Sequence, residues 1–300
     1  MSNKEKYILI TGSSGALGSE IVKLIKSRRL LTPSSKELDL TSQESINNYF
    51  KKYCINTVIH CASIVGGISF NISNRYEIAL VNSLINTNIL DACHRYEISK
   101  LITMGSSCCY PTNAKKPFDE SSYIAGPLEK TNLNYALTKL LMSEAIKAHN
   151  DKYKTNYKTV ILCNLFSPPT KAKEDRLHLI NAIINKMLNY KSNPIIIGGS
   201  GKPRREFLDT LSAAKFINIL LDNYDFAPNH INCGNTQDFT VFEYYSMIAD
   251  IFKINPIYQY DPNIPDGVLT KKLNINKALS MGWHPEPIKN SLENLISNII

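Results

Sequence analysis

Tyr135 and Lys139 stand one helical turn apart in the run Asn134-Tyr135-Ala136-Leu137-Thr138-Lys139. On a helix that spacing sets a phenol and an ammonium on one face. A nearby cation favours the phenolate, which makes the tyrosine a proton relay near neutral pH. Upstream lies Thr11-Gly12-Ser13-Ser14-Gly15-Ala16-Leu17-Gly18, between an apolar run and a helical one. Gly12, Gly15 and Gly18 allow a tight turn and close approach of backbone to a pyrophosphate at the next helix's N-terminus. Together, in this order, the two motifs describe a nicotinamide-dependent reaction at a carbonyl or hydroxyl carbon.

These residues need a scaffold, and the hydrophobic pattern supplies one. Tyr7 to Thr11 reads as a strand and Leu17 to Ile25 as a helix. The run Asn56 to Ala62 is a second buried strand, Ile78 to Arg95 a long helix, and Lys100 to Met104 a strand. Tyr135 to His149 is helical and is followed by a strand over Lys158 to Leu165. Such alternation predicts an α/β fold, a doubly wound parallel sheet of the Rossmann type with ligands at the strands' carboxyl ends. Beyond Pro168-Pro169 the pattern changes to a helix over about His178 to Leu188, a strand over Pro194 to Ile197 and the turn Gly198-Gly199-Ser200-Gly201. Ile231 to Gly234, a helix over Val241 to Phe252 and a last helix near Ser291 to Ile300 follow. Residues 1–167 are therefore expected to bind the dinucleotide and 168–300 to form mainly a substrate lobe, with segments near 205–240 returning to the first unit.

The chain has 300 residues, 43% hydrophobic and 20% charged, enough for a sizeable core. Its formal charge of +8 suits an anionic ligand, but the basic residues are scattered, which argues against nucleic acid as a partner. Seven cysteines (Cys54, Cys61, Cys93, Cys108, Cys109, Cys163, Cys233) show no Cys-x-x-Cys spacing. Several sit inside apolar patterns, where a thiol behaves as a small hydrophobe, so neither disulfides nor a metal site is expected. The stretch Met1 to Lys6 runs straight into the first strand, and no segment is apolar enough to act as a signal or to span a bilayer. The expected setting is soluble and cytoplasmic.

Cofactor choice rests on the tip of the second strand, near Leu30-Leu31. Thr32-Pro33-Ser34-Ser35-Lys36 follows it, with no acid at the tip to bind a free ribose 2′-hydroxyl. Hydroxyls and Lys36 favour NADPH and leave NADH open. Asp39-Leu40 is placed to touch the adenine, and Asp39 could equally cap the helix that begins near Thr41-Ser42.

Five further stretches carry a family resemblance: Val65-Gly66-Gly67-Ile68, Gly105-Ser106-Ser107-Cys108-Cys109-Tyr110-Pro111, the Tyr135/Lys139 pair, Asn164-Leu165-Phe166-Ser167-Pro168, and Gly199-Ser200-Gly201-Lys202-Pro203-Arg204-Arg205-Glu206-Phe207-Leu208. In this order, over nearly the whole chain, they resemble GDP-L-fucose synthase, an extended short-chain dehydrogenase/reductase. The resemblance implies a GDP-linked 4-keto sugar, epimerised at carbons 3 and 5 and reduced at carbon 4 by NADPH. It implies Ser106 as the hydroxyl that holds the ketone oxygen, Tyr135 as proton donor, and Lys139 on the nicotinamide ribose. Cys108 and His178 become the epimerising pair, and a thiolate and an imidazole can both exchange protons near pH 7. Ser107, Cys108, Lys186, Arg205 and Lys272 are the implied substrate contacts. The implied cofactor contacts are Gly12, Ser14, Gly15, Ala16, Leu17, Gly18, Ser35, Asp39, Leu40, Ala62, Asn82, Asn164 and Leu165, besides Tyr135 and Lys139. Asn82 would support the lysine through water, and a homodimer would pair through the two long helices.

Departures from the family bear on substrate. Ser14 and Ser35 replace two arginines aimed at the 2′-phosphate, and Ile64 replaces a lysine. Gly198 stands where a tryptophan precedes the Gly-Ser-Gly turn, and Pro169 to Leu177 lacks an Asp-Asn-Phe. Loss of bulk at Gly198 predicts a roomier pocket and a longer sugar such as a GDP-linked heptose. A dedicated C4-reductase that keeps Cys108 and His178 without using them is the alternative. A 4,6-dehydratase or 4-epimerase on the same scaffold is a second enzyme reading, and dehydration is disfavoured because Ser107-Cys108-Cys109 occupies the place of the acids such dehydratases carry. A non-catalytic dinucleotide sensor is disfavoured because Ser106, Tyr135 and Lys139 are all in place.

Overall fold

The computed structural model describes residues 6–168, 177–264 and 266–299, the side chain of Ser69 excepted. The first part of the chain runs β1 (Tyr7–Thr11), α1 (Ala16–Leu24), β2 (Leu30–Leu31), α2 (Gln43–Lys52), β3 (Ile55–His60), α3 (Ile68–Ser73), α4 (Arg75–Arg95), β4 (Lys100–Ser106), α5 (Leu133–Tyr153) and β5 (Lys158–Leu162). The remainder runs β6 (Asn164–Phe166), α6 (Leu179–Leu188), β7 (Ile195–Gly198), β8 (Arg204–Arg205), β9 (Phe207–Asp209), α7 (Thr210–Asp222), β10 (His230–Cys233), β11 (Phe239–Thr240), α8 (Val241–Phe252), β12 (Tyr258–Asp261), β13 (Thr270–Lys271), α9 (Asn276–Ser280) and α10 (Ile288–Ser297).

Strands buried on both faces read as continuous apolar runs, and here they form a six-stranded sheet in the order β10-β5-β4-β3-β1-β2. All its neighbouring pairs are parallel, the doubly wound arrangement expected from the alternating pattern. Successive side chains point to opposite faces. Leu9, Val58 and Leu101 pack with Ile46, Ile89 and Ile146 of α2, α4 and α5. Their neighbours Ile10, Ile59 and Ile102 pack with Ile21 of α1 and Phe216 and Ile217 of α7. Each such aliphatic side chain contributes about 1.5–3 kcal/mol by leaving water. The order reverses at β1, whose partners are β2 and β3, so a crevice opens at the carboxyl ends there.

A second core gathers Ile183 of α6, Ile197 of β7, Tyr244 and Ile248 of α8, and Leu292 and Ile296 of α10. α8 keeps the bounds read from sequence because both ends carry local signals. Thr240 and Glu243 form a capping box, and Lys253 turns left-handed at φ 56°.

Among the boundaries that differ from the sequence reading, three have a local cause. The strand expected over Lys158 to Leu165 breaks at Cys163, whose N–H donates to Cys233 O at 3.1 Å. There β10 ends, and β6 leaves the main sheet to pair in parallel with β9. The cap of α2 is Ser42, which accepts from Ser45 N, while Asp39 accepts from Thr41 N and Oγ1 in the preceding turn. The last helix starts at Ile288, directly after Pro287, and ends at Ser297.

Candidate active site

A cavity of about 700 Å³ opens at the carboxyl ends of β1, β3, β4 and β5. Its floor is the glycine turn. Gly12 sits at φ +67°, and a Cβ there would stand 2.7 Å from Ala62 N. A Cβ on Gly18 would stand 2.2 Å from Gly12 O, so α1 packs directly onto the turn. Gly15 N donates to Gly12 O at 3.0 Å, and α1 has neither a side-chain cap nor an acid in its first turn. Uncapped first-turn N–H groups beside a backbone without side chains fit a dinucleotide's diphosphate.

On the opposite wall α5 delivers the pair that spacing predicted. Lys139 Nζ lies 5.6 Å from the Tyr135 ring centroid, and both residues line the cavity. Lys139 is buried, which pushes its ammonium down to about 8 against the opposing pull of Cys109 and Cys61. The Tyr135 phenol is raised well above its ordinary value, first by burial and then by Cys108 and Cys109 beside it. Burial therefore opposes the phenolate that a neighbouring cation would favour. Ser106 ends β4 and caps the short turn Ser107–Cys109, its Oγ accepting from Cys108 N at 3.2 Å. Cys108 follows it into the cavity, half-buried.

His178 lines the cavity from the start of α6, and burial lowers its imidazole, keeping it neutral. Arg205 and Lys186 also border the space, with their donors engaged. Arg205 Nη1 donates to Val268 O (2.6 Å) and Nη2 to Asp266 O (2.9 Å). Lys186 donates to Ile196 O (2.6 Å) and to Tyr245 Oη (3.1 Å). Gly12, Gly15, Ala16, Leu17, Gly18, Asn164 and Leu165 line the same cavity.

Other residues named from sequence lie elsewhere. Lys272 donates to Asp238 Oδ1 at 2.9 Å and does not line the cavity. Ser107 is buried behind it. Ser14, Ser35 and Asp39 are exposed and, with Leu40, stand outside the lining. In the same turn Glu37, an acid passed over in sequence, accepts from Ser34 N and Oγ, both at 2.8 Å. Ala62 packs behind Gly12. Asn82 does not turn to Lys139: its carboxamide accepts from Ile64 N (2.7 Å) and donates to Ile64 O (2.9 Å), fixing the loop after β3. Gly198 lines the cavity with Ile264 beside it. A Cβ there would meet Ile264 Cδ1 at 2.9 Å, so Ile264 fills space that a large side chain would otherwise take. Of the altered stretch Pro169 to Leu177, residues 169–176 lie outside the described residues.

Sequence reading missed the support beneath the site. Asn86 Nδ2 donates to Thr138 O at 3.2 Å, which turns its Oδ1 toward His60 Nε2, 3.0 Å away. The ring therefore carries its hydrogen on Nε2, and Nδ1 accepts from the Thr11 hydroxyl at 2.7 Å. Burial pushes His60 down to about 4, so it is neutral. This chain ties β1, β3 and α4 to the helix that carries Tyr135 and Lys139. A histidine inside an apolar strand was the available signal. Among the described residues no three His, Cys, Asp or Glu side chains are placed to hold a metal, and no helix is long and apolar enough to cross a membrane.

Comparison with known proteins agrees with this geometry. The NAD dependent epimerase/dehydratase family model matches residues 8–234. The chain is 36% identical over 282 residues to the GDP-L-colitose synthase of Yersinia pseudotuberculosis, covering 92% of each. It is 33% identical over 288 residues to the GDP-L-fucose synthase of Azorhizobium caulinodans, covering 94% of this chain and 92% of that one. A GDP-6-OMe-4-keto-L-xylo-heptose reductase from C. jejuni superposes with TM-score 0.90 at 23% identity, over 100% of this chain and 98% of its own. The GDP-mannoheptose C4 reductase of Campylobacter jejuni, solved with NADP bound, superposes at 0.86 and 22% identity, over 99% and 98%. By sequence and by fold, the chain belongs to the NAD dependent epimerase/dehydratase family and, within it, to the GDP-L-fucose synthase group of extended short-chain dehydrogenases/reductases.

Proposed function

We propose that this chain reduces the 4-keto group of a GDP-linked 4-keto sugar, with NADPH as cofactor. The observation that carries the reading is one cavity bordered by the glycine turn, Ser106, Tyr135, Lys139, Cys108 and His178. A nicotinamide dinucleotide held by the glycine turn and Lys139 supplies the hydride. Ser106 Oγ–H donates to the ketone oxygen, and Tyr135 passes its proton to that oxygen as charge develops there. A phenol kept protonated by burial suits a donor. Before reduction, Cys108 and His178 exchange protons at the carbons beside the ketone, one removing and the other returning. The neutral His178 imidazole suits either role. Arg205 and Lys186 border the sugar nucleotide, with part of their charge held by the protein.

NADP over NAD is supported by the hydroxyls and Lys36 that follow Leu30-Leu31 and by a solved relative of the same fold that carries NADP, and the loss of two arginines at Ser14 and Ser35 weighs against it. The sugar is six-carbon or seven-carbon: loss of the tryptophan at Gly198 favours the longer one, and Ile264 over that position restrains it. A homodimer is supported by an exposed apolar stripe. Tyr76, Leu80 and Leu84 on α4 and Leu133, Leu137 and Leu141 on α5 recur at i, i+4 and i+8. The setting we propose is cytoplasmic.

The test is incubation with GDP-4-keto-6-deoxymannose and a seven-carbon analogue, NADPH and D₂O, with products read by NMR and mass. Deuterium at carbons 3 and 5 of a reduced sugar supports the bifunctional reading. Reduction without wash-in supports a dedicated reductase. NADPH that stays unconsumed with both substrates sinks the proposal.

A further inference from the structure

Ser63 Oγ is out of contact with solvent and has no hydrogen-bond partner among the described residues, yet Ser63 lines the cavity with Tyr135, Ser106 and Lys139. A buried hydroxyl without a partner destabilises a fold, and alanine in its place would remove that cost. The backbone around it is held in place. Ala62 N donates to Thr11 Oγ1 at 3.4 Å, and the next residue, Ile64, is bonded through both N and O to the fully buried Asn82. Gly66 N donates to Asn71 Oδ1 at 3.1 Å. With the main chain fixed on both sides, the hydroxyl moves chiefly by rotation about its own χ1. The two other buried hydroxyls without partners among the described residues, Tyr123 Oη and Ser143 Oγ, do not line the cavity.

We propose that Ser63 is a positioning residue for Tyr135: its hydroxyl accepts from the phenol before reaction and donates to the phenolate left after proton transfer. The inference rests on the reductase reading above. The surroundings of Tyr135 make such a donor necessary. Burial and the thiols of Cys108 and Cys109 all oppose the phenolate, and the Ser63 hydroxyl is the neighbour that eases it. The Ser63 hydroxyl is close enough to the phenol to favour its ionisation and makes no hydrogen bond to it in this structure. In the step itself the hydride pair forms a C–H bond at the carbonyl carbon. The carbonyl π pair moves to oxygen, which takes the Tyr135 proton. The resulting phenolate accepts from Ser63 O–H, which keeps its own proton, and solvent reprotonates Tyr135 after product leaves.

Ser63→Ala and Ser63→Thr test this in the full chain. For Ser63→Ala we expect kcat to fall about 10- to 100-fold with KM within about twofold, the loss of one hydrogen bond to a developing charge. The alkaline limb of the kcat profile moves to higher pH, Tm does not fall, and Ser63→Thr restores kcat. A second readout needs no turnover. With ¹³Cζ-tyrosine labelling, the Tyr135 resonance is the one missing in Tyr135→Phe, and Ser63→Ala shifts it while Ser63→Thr does not. Wild-type kcat and pH profile in Ser63→Ala, or an unmoved Tyr135 resonance, overturns the proposal. Wild-type protein inert toward every 4-keto substrate overturns the reductase reading instead, and the resonance still decides whether the two hydroxyls interact.

Discussion

Gly15 and Gly18 are equivalent in the sequence motif and unequal in the structure, which makes the pair a test of the packing argument. A methyl on Gly18 would lie 2.2 Å from Gly12 O and 2.9 Å from both Gly12 C and Ser13 Cα. All three are backbone atoms, so no side-chain rotation relieves the clash, and α1 must lift from the turn. Overpacking of this kind costs about 3 kcal/mol. For a chain of this length that lowers Tm by roughly 5 °C, taking about 2.1 cal/mol/K per residue for the unfolding entropy. A methyl on Gly15 meets only Gly12 O, at 3.2 Å, which a shift of a few tenths of an ångström accommodates. Gly18→Ala should therefore lose both stability and NADPH affinity, the latter by about 100-fold, equivalent to ~2.7 kcal/mol. Gly15→Ala should keep its Tm, whatever happens to affinity. Thermal unfolding without ligand and titration of NADPH fluorescence read the two quantities separately. Equal losses of Tm in the two variants would refute the claim that close packing of α1 on Gly12 distinguishes them.

Tyr135→Phe should lower kcat by roughly 10²–10⁴-fold, with NADPH binding within a few-fold, since only the acid is removed. Stopped-flow NADPH oxidation measures this, and a variant at half the wild-type rate would exclude Tyr135 as donor. Glu206, buried and accepting from Asn235 N and Leu273 N, is pushed up to about 8 from an ordinary 4.5. The folded state then holds a proton that the unfolded chain releases, so stability falls as pH rises from about 4.5 to about 8. Urea unfolding at pH 5, 6 and 7 should show that decline in wild type and a flatter line in Glu206→Gln; parallel lines would mean another group is responsible. Leu137→Glu, at a site 51% exposed on α5, should leave Tm unchanged in dilute solution and convert dimer to monomer by sedimentation velocity. An undisturbed dimer would put the interface elsewhere.

What sequence could disclose was what short spacing controls. The glycine turn, the Tyr135/Lys139 pair and the capping box of α8 each depend on residues within one or two turns of one another. Contacts across long separations escaped it. The break at Cys163 depends on where β10 stops and on β9 taking up Asn164 to Phe166, and the apolar run itself carries no sign of either. Ile264 lies beside Gly198 from the loop after β12, a neighbour that the residue type at Gly198 does not disclose. Lys272 reads as a free cation in sequence and is paired with Asp238 in the fold. The burial of Tyr135 escaped it for a related reason. Spacing reports the lysine one turn away, whereas burial sums over every element that walls the cavity.

The edge position of β10 has a consequence for how the chain is made. β5 pairs on its outer side with His230–Cys233, which leave the ribosome roughly 70 residues after β5 itself. At about 5–20 residues per second, that edge stays open for roughly 4–14 s of synthesis. For most of that interval the face of the sheet that packs on α7 also lacks Phe216 and Ile217, and throughout it Trp283, which donates to Ser212 O at 3.1 Å, has yet to emerge. A nascent chain halted before residue 230 therefore displays an apolar strand with one open edge, the kind of surface that chaperones bind and that neighbouring chains on a polysome can capture.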